Sequence, residues 1–444
     1  MSEPIRVAVV GSGPAGLYTA DELVKQGDVA IDVFDRLPAP YGLLRYGVAP
    51  DHLKMKSLET ALRRILDQPE VRFLGGVEIG ADIEPAELLD YYDALVYAFG
   101  SGSDRRLGIP GEELAGSFGA KDFVSWYCGH PDRLPQFALT ATSAVVVGAG
   151  NVALDVARIL AKTSDELRAA TDMSDDVLDA LATSSITDVH LVARRGPAQA
   201  KFTTKELREL GELANADVVV DPAQLELTEA DQALLAEDKV AKRNVEVMLG
   251  WAGRALTGKP RRIHFHFRRV PTALLGEDRL EEVVLRRNEP GAAPDDLETV
   301  PAQLLLRAVG YLGLGMAGVP FDASAGVIPN DKGRVLGPDG APLAGQYAVG
   351  WIKRGPTGVI GTNKSDARET VATLLADRDA LPTPAHRDPD AILDLLRDRD
   401  VAVVNWAGWV AIEAAEKALG AGSGRNRVKI ADWAQLLAAA KSAD

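Results

Sequence analysis

A single cysteine, Cys128, stands among 444 residues. That scarcity excludes an internal disulfide, a CxxC redox pair and a cysteine-ligated iron-sulfur cluster within one chain. Redox chemistry would therefore need a group bound from outside. Long apolar runs are also missing, since no stretch approaches the roughly 18 uninterrupted apolar residues of a spanning helix. The opening MSEPIRVAVVG enters a strand pattern with no signal-peptide layout, so a cytoplasmic protein is expected. Positive charge is in deficit: 49 Lys and Arg against 64 Asp and Glu give a formal net charge of -15. A general nucleic-acid binder needs a broad basic surface to displace counterions, which this balance excludes. There is no low-complexity tract. What remains is 46% hydrophobic and 25% charged residues, the composition of an ordinary globular protein with two or three domains.

The chain reads as alternating strands and helices. Ile5 to Val10 is a β-branched run ending in glycines, followed by a helix-compatible stretch from Ala15 to Lys25 and a second run from Ala30 to Phe34. Asp51 is expected to cap a helix through about Asp67, with Leu58, Leu62 and Ile65 at helical spacing. YYDALVYAFG, from Tyr91, reads as a buried strand. A second unit starts at Ala144 with VVVGAG, continues into a helix from Val152 to Thr163 and returns as a strand from Asp188 to Val192. The acidic, alanine-rich insertion from Ser164 to Thr183 is expected to be helical and exposed. Mixed strands follow, including HFHFRRV from His264 and LEEVVLRR from Leu280. The proline-rich stretch from Arg378 to Pro389 reads as a linker to a helical C-terminal segment.

Two glycine fingerprints sit between a strand and a helix, the position in which a glycine turn and a helix N-terminus together hold a pyrophosphate. The first is Gly11, Gly13 and Gly16, with Ala15 between the last two. Asp35 ends the following strand, where a carboxylate accepts hydrogen bonds from an adenosine ribose. The second runs through Gly148, Ala149, Gly150, Asn151 and Val152 to Ala153. At the end of its next strand stand Arg194 and Arg195 instead of an acidic residue. Two guanidiniums there suit a 2'-phosphate and favour NADP over NAD. Two different ribose readers point to two different nucleotides, and a flavin with a nicotinamide is the pairing that performs redox chemistry. FAD is expected at the first site and NADPH at the second.

A third element, Gly350 to Asn363, is too glycine-rich for a core strand and leads straight into a helix. A helix N-terminus there would stabilise the reduced, anionic flavin ring, with Trp351 facing the ring system. His52 and Glu206 are the two candidate acid-base groups, and Cys128 reads as a core residue. Lys239, Lys242, Arg243, Arg261, Arg262, Arg268 and Arg269 are local basic exceptions that could receive an acidic partner. No metal-ligand pattern is present.

The segments VAVVGSGPAGLYTA, PYGLLRYGVAPDHLKMKS, VVVGAGNVALDVARIL, RRGPAQAKFTTKELREL and YAVGWIKRGPTGVIGTNKSDA resemble FAD-containing ferredoxin-NADP reductases of the adrenodoxin reductase type, including actinobacterial members. The resemblance covers nearly the whole chain. It implies an α/β protein with two Rossmann-like dinucleotide-binding domains in a glutathione reductase-like architecture. The FAD domain would comprise residues 1–103 and 317–444, the latter including a C-terminal helical segment from about 390. An NADP domain of residues 104–316 would be inserted between. The implied FAD contacts are Ala15, Asp35, Leu43, Ile79, Trp351, Gly358, Val359 and Ile360. For NADP they are Arg105, Ala149, Gly150, Asn151, Val152, Arg194, Arg195 and Glu206, with Gly358 near the nicotinamide. The implied acceptor is a ferredoxin-type iron-sulfur protein, and a monomer is expected. Asp35 is shorter than the Glu used by many members, and Ala15 lacks a hydroxyl that some carry. The rival readings are an NADPH-oxidising flavoprotein subunit similar to the glutamate synthase small subunit, disfavoured by the lone cysteine, and a nucleotide sensor without turnover.

Overall fold

The strand Ile5–Val10 is buried along its whole length. Such a strand belongs in the middle of a parallel sheet covered on both faces. The computed structural model describes residues 4–134, 137 and 139–443, so the first three residues of the opening MSEPIRVAVVG and the last residue of the C-terminal segment lie outside the description. The chain divides into two units, one formed by the stretches up to Ser103 and from Tyr311 onward, the other by Asp104–Gly310.

In the first unit the sheet order is Asn330–Asp331, Arg334–Leu336, Pro342–Ala348, Ala94–Tyr97, Ile5–Val10, Val29–Asp35 and Val71–Gly75. The last five are mutually parallel, and the first two form an antiparallel edge. Side chains alternate across the sheet as strand geometry requires. Val7 and Val9 join Leu17, Leu23, Leu374 and Trp409 on one face. Ala8 and Val10 join Phe34, Tyr97, Ile392 and Leu396 on the other. The helix Pro14–Gln26 follows the first strand because Pro14 presets its first turn, while Gly27, at φ 78°, ends it.

The C-terminal segment is therefore core material. Ala391–Asp398 covers one face and Trp406–Gly422 the other. The stretch read as a linker is held down as well: Arg6 Nη1 donates to the carbonyls of His386 and Asp388 at 3.2 and 3.3 Å, and His386 stacks on Tyr91.

The second unit carries a wholly parallel sheet in the order Ser117–Gly119, Leu304–Arg307, Ser143–Val147, Asp188–Ala193, Arg261–Phe267 and Ala216–Val220. An antiparallel sheet of Arg269–Leu275, Glu282–Arg287 and Leu297–Pro301 accompanies it.

Three local expectations are corrected. The helix expected from Asp51 to Asp67 is divided into Leu53–Lys56 and Leu58–Leu66, and His52, not Asp51, occupies the N-terminal cap position. The insertion from Ser164 to Thr183 is helical, as Ser164–Ala170 and Asp175–Ala182, but not simply exposed: Leu167, Met173, Val177, Leu178 and Leu181 are buried. Its first helix starts in a reciprocal cap between Thr163 and Glu166. Several candidate docking cations are already committed. Arg262 pairs with Asp188 at 2.7 Å, Arg269 with Glu298 at 3.3 Å and buried Arg268 with Asp231 at 3.1 Å. Arg261 donates to the carbonyls of Leu160 and Lys162. Lys239, Lys242 and Arg243 remain exposed.

Candidate dinucleotide sites

The first fingerprint is a turn that only glycine can make. Gly11 has φ 117°, and a Cβ there would lie 2.7 Å from the Ala98 carbonyl carbon and oxygen. A Cβ on Gly16 would lie 2.0 Å from the Gly11 oxygen. The helix Pro14–Gln26 begins at Gly13 without a side-chain cap and without an acidic residue in its first turn. Its leading N–H groups and positive dipole end are thus available to an anion. Asp35 closes the turn by accepting from Ser12 N and Leu37 N, both at 2.9 Å, and from Ser12 Oγ at 2.5 Å. Burial pushes its carboxyl up, against the lowering effect of these hydrogen bonds.

Two distant segments meet this turn. A Cβ on Gly350 would lie 2.5 Å from Ala15 Cβ, which places the third glycine element on the first. Trp351 follows directly and stacks on Tyr311 with ring centroids 5.7 Å apart. The helix Thr362–Ala376 starts at Gly361 with no side-chain cap and no acid in its first turn. Gly358 and Val359 are exposed ahead of it, Val359 by 72%. Buried Asp366 fixes this element, accepting from Gly350 N and from Lys353 Nζ, each at 2.7 Å. The other segment is the loop through Leu43: Tyr41 N donates to the Ser12 carbonyl at 3.1 Å. Leu43 is 40% exposed, and His52 is buried just beyond. Ile79 is a core residue two positions past Val77, whose N–H donates to the Asp35 carbonyl.

In the second unit Gly148 repeats the constraint, since a Cβ there would lie 2.4 Å from the Ala308 oxygen. Ala153, the third fingerprint position, is fully buried, and the helix Asn151–Ala161 also begins uncapped and without an acid in its first turn. Val147 pairs with Val192, so Arg194 and Arg195 extend from the same carboxyl edge as the glycine turn. Both are exposed, and no ion pair engages either among the described residues. Their main chain is anchored, with the Arg194 carbonyl accepting from Asn288 Nδ2 at 2.8 Å and the Arg195 carbonyl from Arg268 N at 3.1 Å. Arg105, also exposed, is tied through its N–H to the Gly310 carbonyl at 3.0 Å. Lys201 N donates to Ala149 O at 2.7 Å and Thr203 N to Asn151 Oδ1 at 2.8 Å. These bonds bring the helix Thr204–Gly211 to the glycine turn, with Glu206 buried in its first turn. Glu206 Oε2 is buried without a hydrogen-bond partner, an acceptor left over for a ligand donor.

The family model described as pyridine nucleotide-disulphide oxidoreductase matches residues 5–311. The chain belongs to this family. Among pyridine nucleotide-disulphide oxidoreductase relatives, NADPH-ferredoxin reductase FprA of Mycobacterium tuberculosis is 45% identical, with 98% of each chain covered. The mitochondrial NADPH:adrenodoxin oxidoreductase of Arabidopsis thaliana is 39% identical over 99% of this chain and 96% of its own. A solved structure of M. tuberculosis FprA in complex with NADPH superimposes with a TM-score of 0.92 at 44% identity, covering 99% of this chain and 100% of the other. The α/β fold with two dinucleotide-binding units is that of this oxidoreductase family.

The two glycine turns are buttressed by residues outside the fingerprints. Gly350 against Ala15, Asp366 beneath Gly350, and Lys201 and Thr203 beside the second turn had no short sequence signal, because each pairs residues far apart in the chain. Among the described residues no His, Cys, Asp and Glu cluster is arranged for a metal ion, and no helix is long and apolar enough to cross a membrane.

Proposed function

We propose that this protein is an NADPH:ferredoxin oxidoreductase, with FAD held by the unit built from the two ends of the chain and NADP(H) by the inserted unit. The observation that carries the reading is the seating of Gly350 on Ala15, which sets a second uncapped helix entrance beside a complete dinucleotide turn. A site for one simple dinucleotide needs only the first turn. The relatives' names point to the same activity.

The donor set fits FAD. Gly11, Gly13, Ala15 and Gly16 would let the pyrophosphate approach the backbone closely at the helix entrance, the Gly11 N–H itself being spent on the Phe34 carbonyl at 2.8 Å, and Asp35 would face the ribose. Leu43, Ile79, Trp351, Gly358, Val359 and Ile360 would complete the pocket around the ring. The set in the other unit fits NADPH. Ala149, Gly150, Asn151 and Val152 would receive its pyrophosphate, and Arg105, Arg194 and Arg195 would offer cations to its phosphates. The orphaned Glu206 Oε2 suits a donor such as the nicotinamide carboxamide. Bound FAD supplies the conversion of a two-electron donor into single electrons, which a ferredoxin takes one at a time. The chain's own part is orientation and electrostatics. Glu206 would orient the nicotinamide within the inserted unit, His52 would tune the flavin within the other, and the entrance to Thr362–Ala376 offers a positive dipole end where negative charge accumulates.

For the partner, Lys239, Lys242 and Arg243 on the helix Lys239–Trp251 carry the proposal, since they are exposed and no ion pair engages them among the described residues. Arg243 also lines an open groove of mixed charge with Lys205, Arg208, Glu209 and Glu212, in which Lys205 is paired with Glu209 at 3.0 Å. An acidic iron-sulfur protein fits this face.

The test is an anaerobic NADPH titration of the purified protein, followed by candidate ferredoxins from the same cell. Bleaching of a yellow protein and then ferredoxin reduction supports the proposal. A colourless protein that FAD fails to reconstitute refutes it.

A further inference from the structure

The loop Tyr41–Gly47 touches the first dinucleotide turn while holding a backbone that it does not favour. Tyr41 has φ 83° and Gly42 φ 48°, and a Cβ on Gly42 would lie 3.0 Å from Gly13 Cα. A tyrosine at positive φ persists only where its surroundings over-determine it. Those surroundings come from the far end of the chain. Trp409, fully buried in the helix Trp406–Gly422, meets the Tyr41 ring edge-on with centroids 5.8 Å apart. Its ring also lies 5.0 Å from the Arg45 guanidinium. Arg45 and Glu416 form a two-pronged ion pair, with Nη1 donating to Oε2 at 3.2 Å and Nη2 donating to Oε1. The pair is shut off from water, Arg45 being 4% and Glu416 0% exposed. The Arg45 carbonyl is gripped separately, by Lys429 Nζ at 2.8 Å and Lys56 Nζ at 3.1 Å. Ile430 N donates to Glu416 Oε1 at 3.0 Å and so ties the tail to the same carboxylate.

A buried ion pair contributes little net stability compared with apolar packing, and its best-attested use is to fix register. Here the register is that of a strained loop against Gly13. We propose that Glu416 is a positioning residue for the flavin: through Arg45, the C-terminal helix latches Tyr41–Gly47 onto the glycine turn and retains the dinucleotide there. This inference rests on the assignment of FAD to that turn. It gives the C-terminal segment a task beyond covering the sheet.

The test compares the native holoprotein with Glu416→Gln, which keeps shape and removes charge. Lys429→Met, which removes one donor to the loop carbonyl, serves if the first variant does not fold. Leu419→Ala, at an exposed position of the same helix, is the control. FAD release is followed by the rise of free-flavin fluorescence after dilution, alongside the visible absorption spectrum and far-ultraviolet circular dichroism. The latch predicts release about tenfold faster or more and a shifted flavin band, with an unchanged dichroism spectrum and a native-like control. Added FAD should restore occupancy without restoring the band. Release within about twofold of native, with an unshifted band, overturns the inference even if the unfolding temperature falls. A yellow native protein with that outcome sinks only the latch. A native protein without FAD sinks the assignment beneath it as well.

Discussion

Removing the two guanidiniums at the end of the strand Asp188–Ala193 isolates the preference for NADPH. Arg194 and Arg195 are exposed and free of ion pairs among the described residues, so neither is already committed within the protein. Their carbonyls are held by Asn288 and Arg268, so truncation to alanine leaves the turn in place. A charge-assisted hydrogen bond contributes about 1.5–3 kcal/mol when sheltered, and solvent screening at this exposed position favours the lower end. At about 1.4 kcal/mol per factor of ten, each single alanine raises the KM for NADPH about tenfold, and the double variant raises it about a hundredfold. NADH lacks the 2'-phosphate, so its KM moves by less than about threefold. Salt adds a second signature: the native KM for NADPH climbs with ionic strength, whereas that of the double variant, with Arg105 still in place, climbs less steeply. Steady-state kinetics with both coenzymes at several salt concentrations decides the matter. An equal rise for NADPH and NADH refutes the role of the arginines.

Gly350→Ala should purify with clearly substoichiometric flavin, because its Cβ meets Ala15 Cβ and its φ of 76° disfavours any side chain; full occupancy by absorbance contradicts the seating. Glu206→Gln should slow turnover with NADPH by about tenfold or more while leaving flavin content unchanged, and unaltered turnover removes the carboxylate from the site. Charge reversal at Lys239, Lys242 and Arg243 should weaken ferredoxin reduction in a salt-dependent manner while ferricyanide reduction persists; unchanged ferredoxin kinetics place the docking face elsewhere. A last prediction concerns acid stability. Burial, reinforced by the neighbouring histidines, holds His190 down at about 3, and burial likewise holds His266 at about 4. The two rings are bonded to each other at 2.9 Å, and His264, Asp188, Glu298, Arg262 and Arg269 surround them. An unfolded histidine takes up its proton near pH 6.5, so the stability due to the pair is complete above that pH and is lost as pH falls toward 4. Urea midpoints across that range should fall less steeply for His190→Gln, and parallel slopes refute the assignment.

The legible part of this protein was the part in which chemistry is local. Gly11 and Gly148 announce their turns because a Cβ is impossible at each, whatever the rest of the chain does. The hydrophobic runs revealed the parallel strands for a similar reason, since a strand covered on both faces has no polar side to interrupt the pattern. Illegible were the pairings between distant residues. Nothing in the sequence near Gly350 tells that it rests on Ala15, nor does Tyr41 point to Trp409. The insertion from Ser164 misled because its charges are visible one by one, whereas its few leucines bury together only once the helices pack. Arg261, Arg262, Arg268 and Arg269 misled in the same way: as a string they are a basic patch, but in the fold each has found an acceptor.

The most direct test of the central claim is the electron count. Under anaerobic conditions, NADPH is added in measured portions to the protein with excess oxidised ferredoxin, and both species are followed by absorbance. The account predicts two ferredoxins reduced for each NADPH consumed, at a rate that vanishes when FAD is stripped and returns when it is restored. Ferredoxin that stays oxidised while NADPH bleaches the flavin would contradict the acceptor, and reduction that continues without FAD would contradict the route.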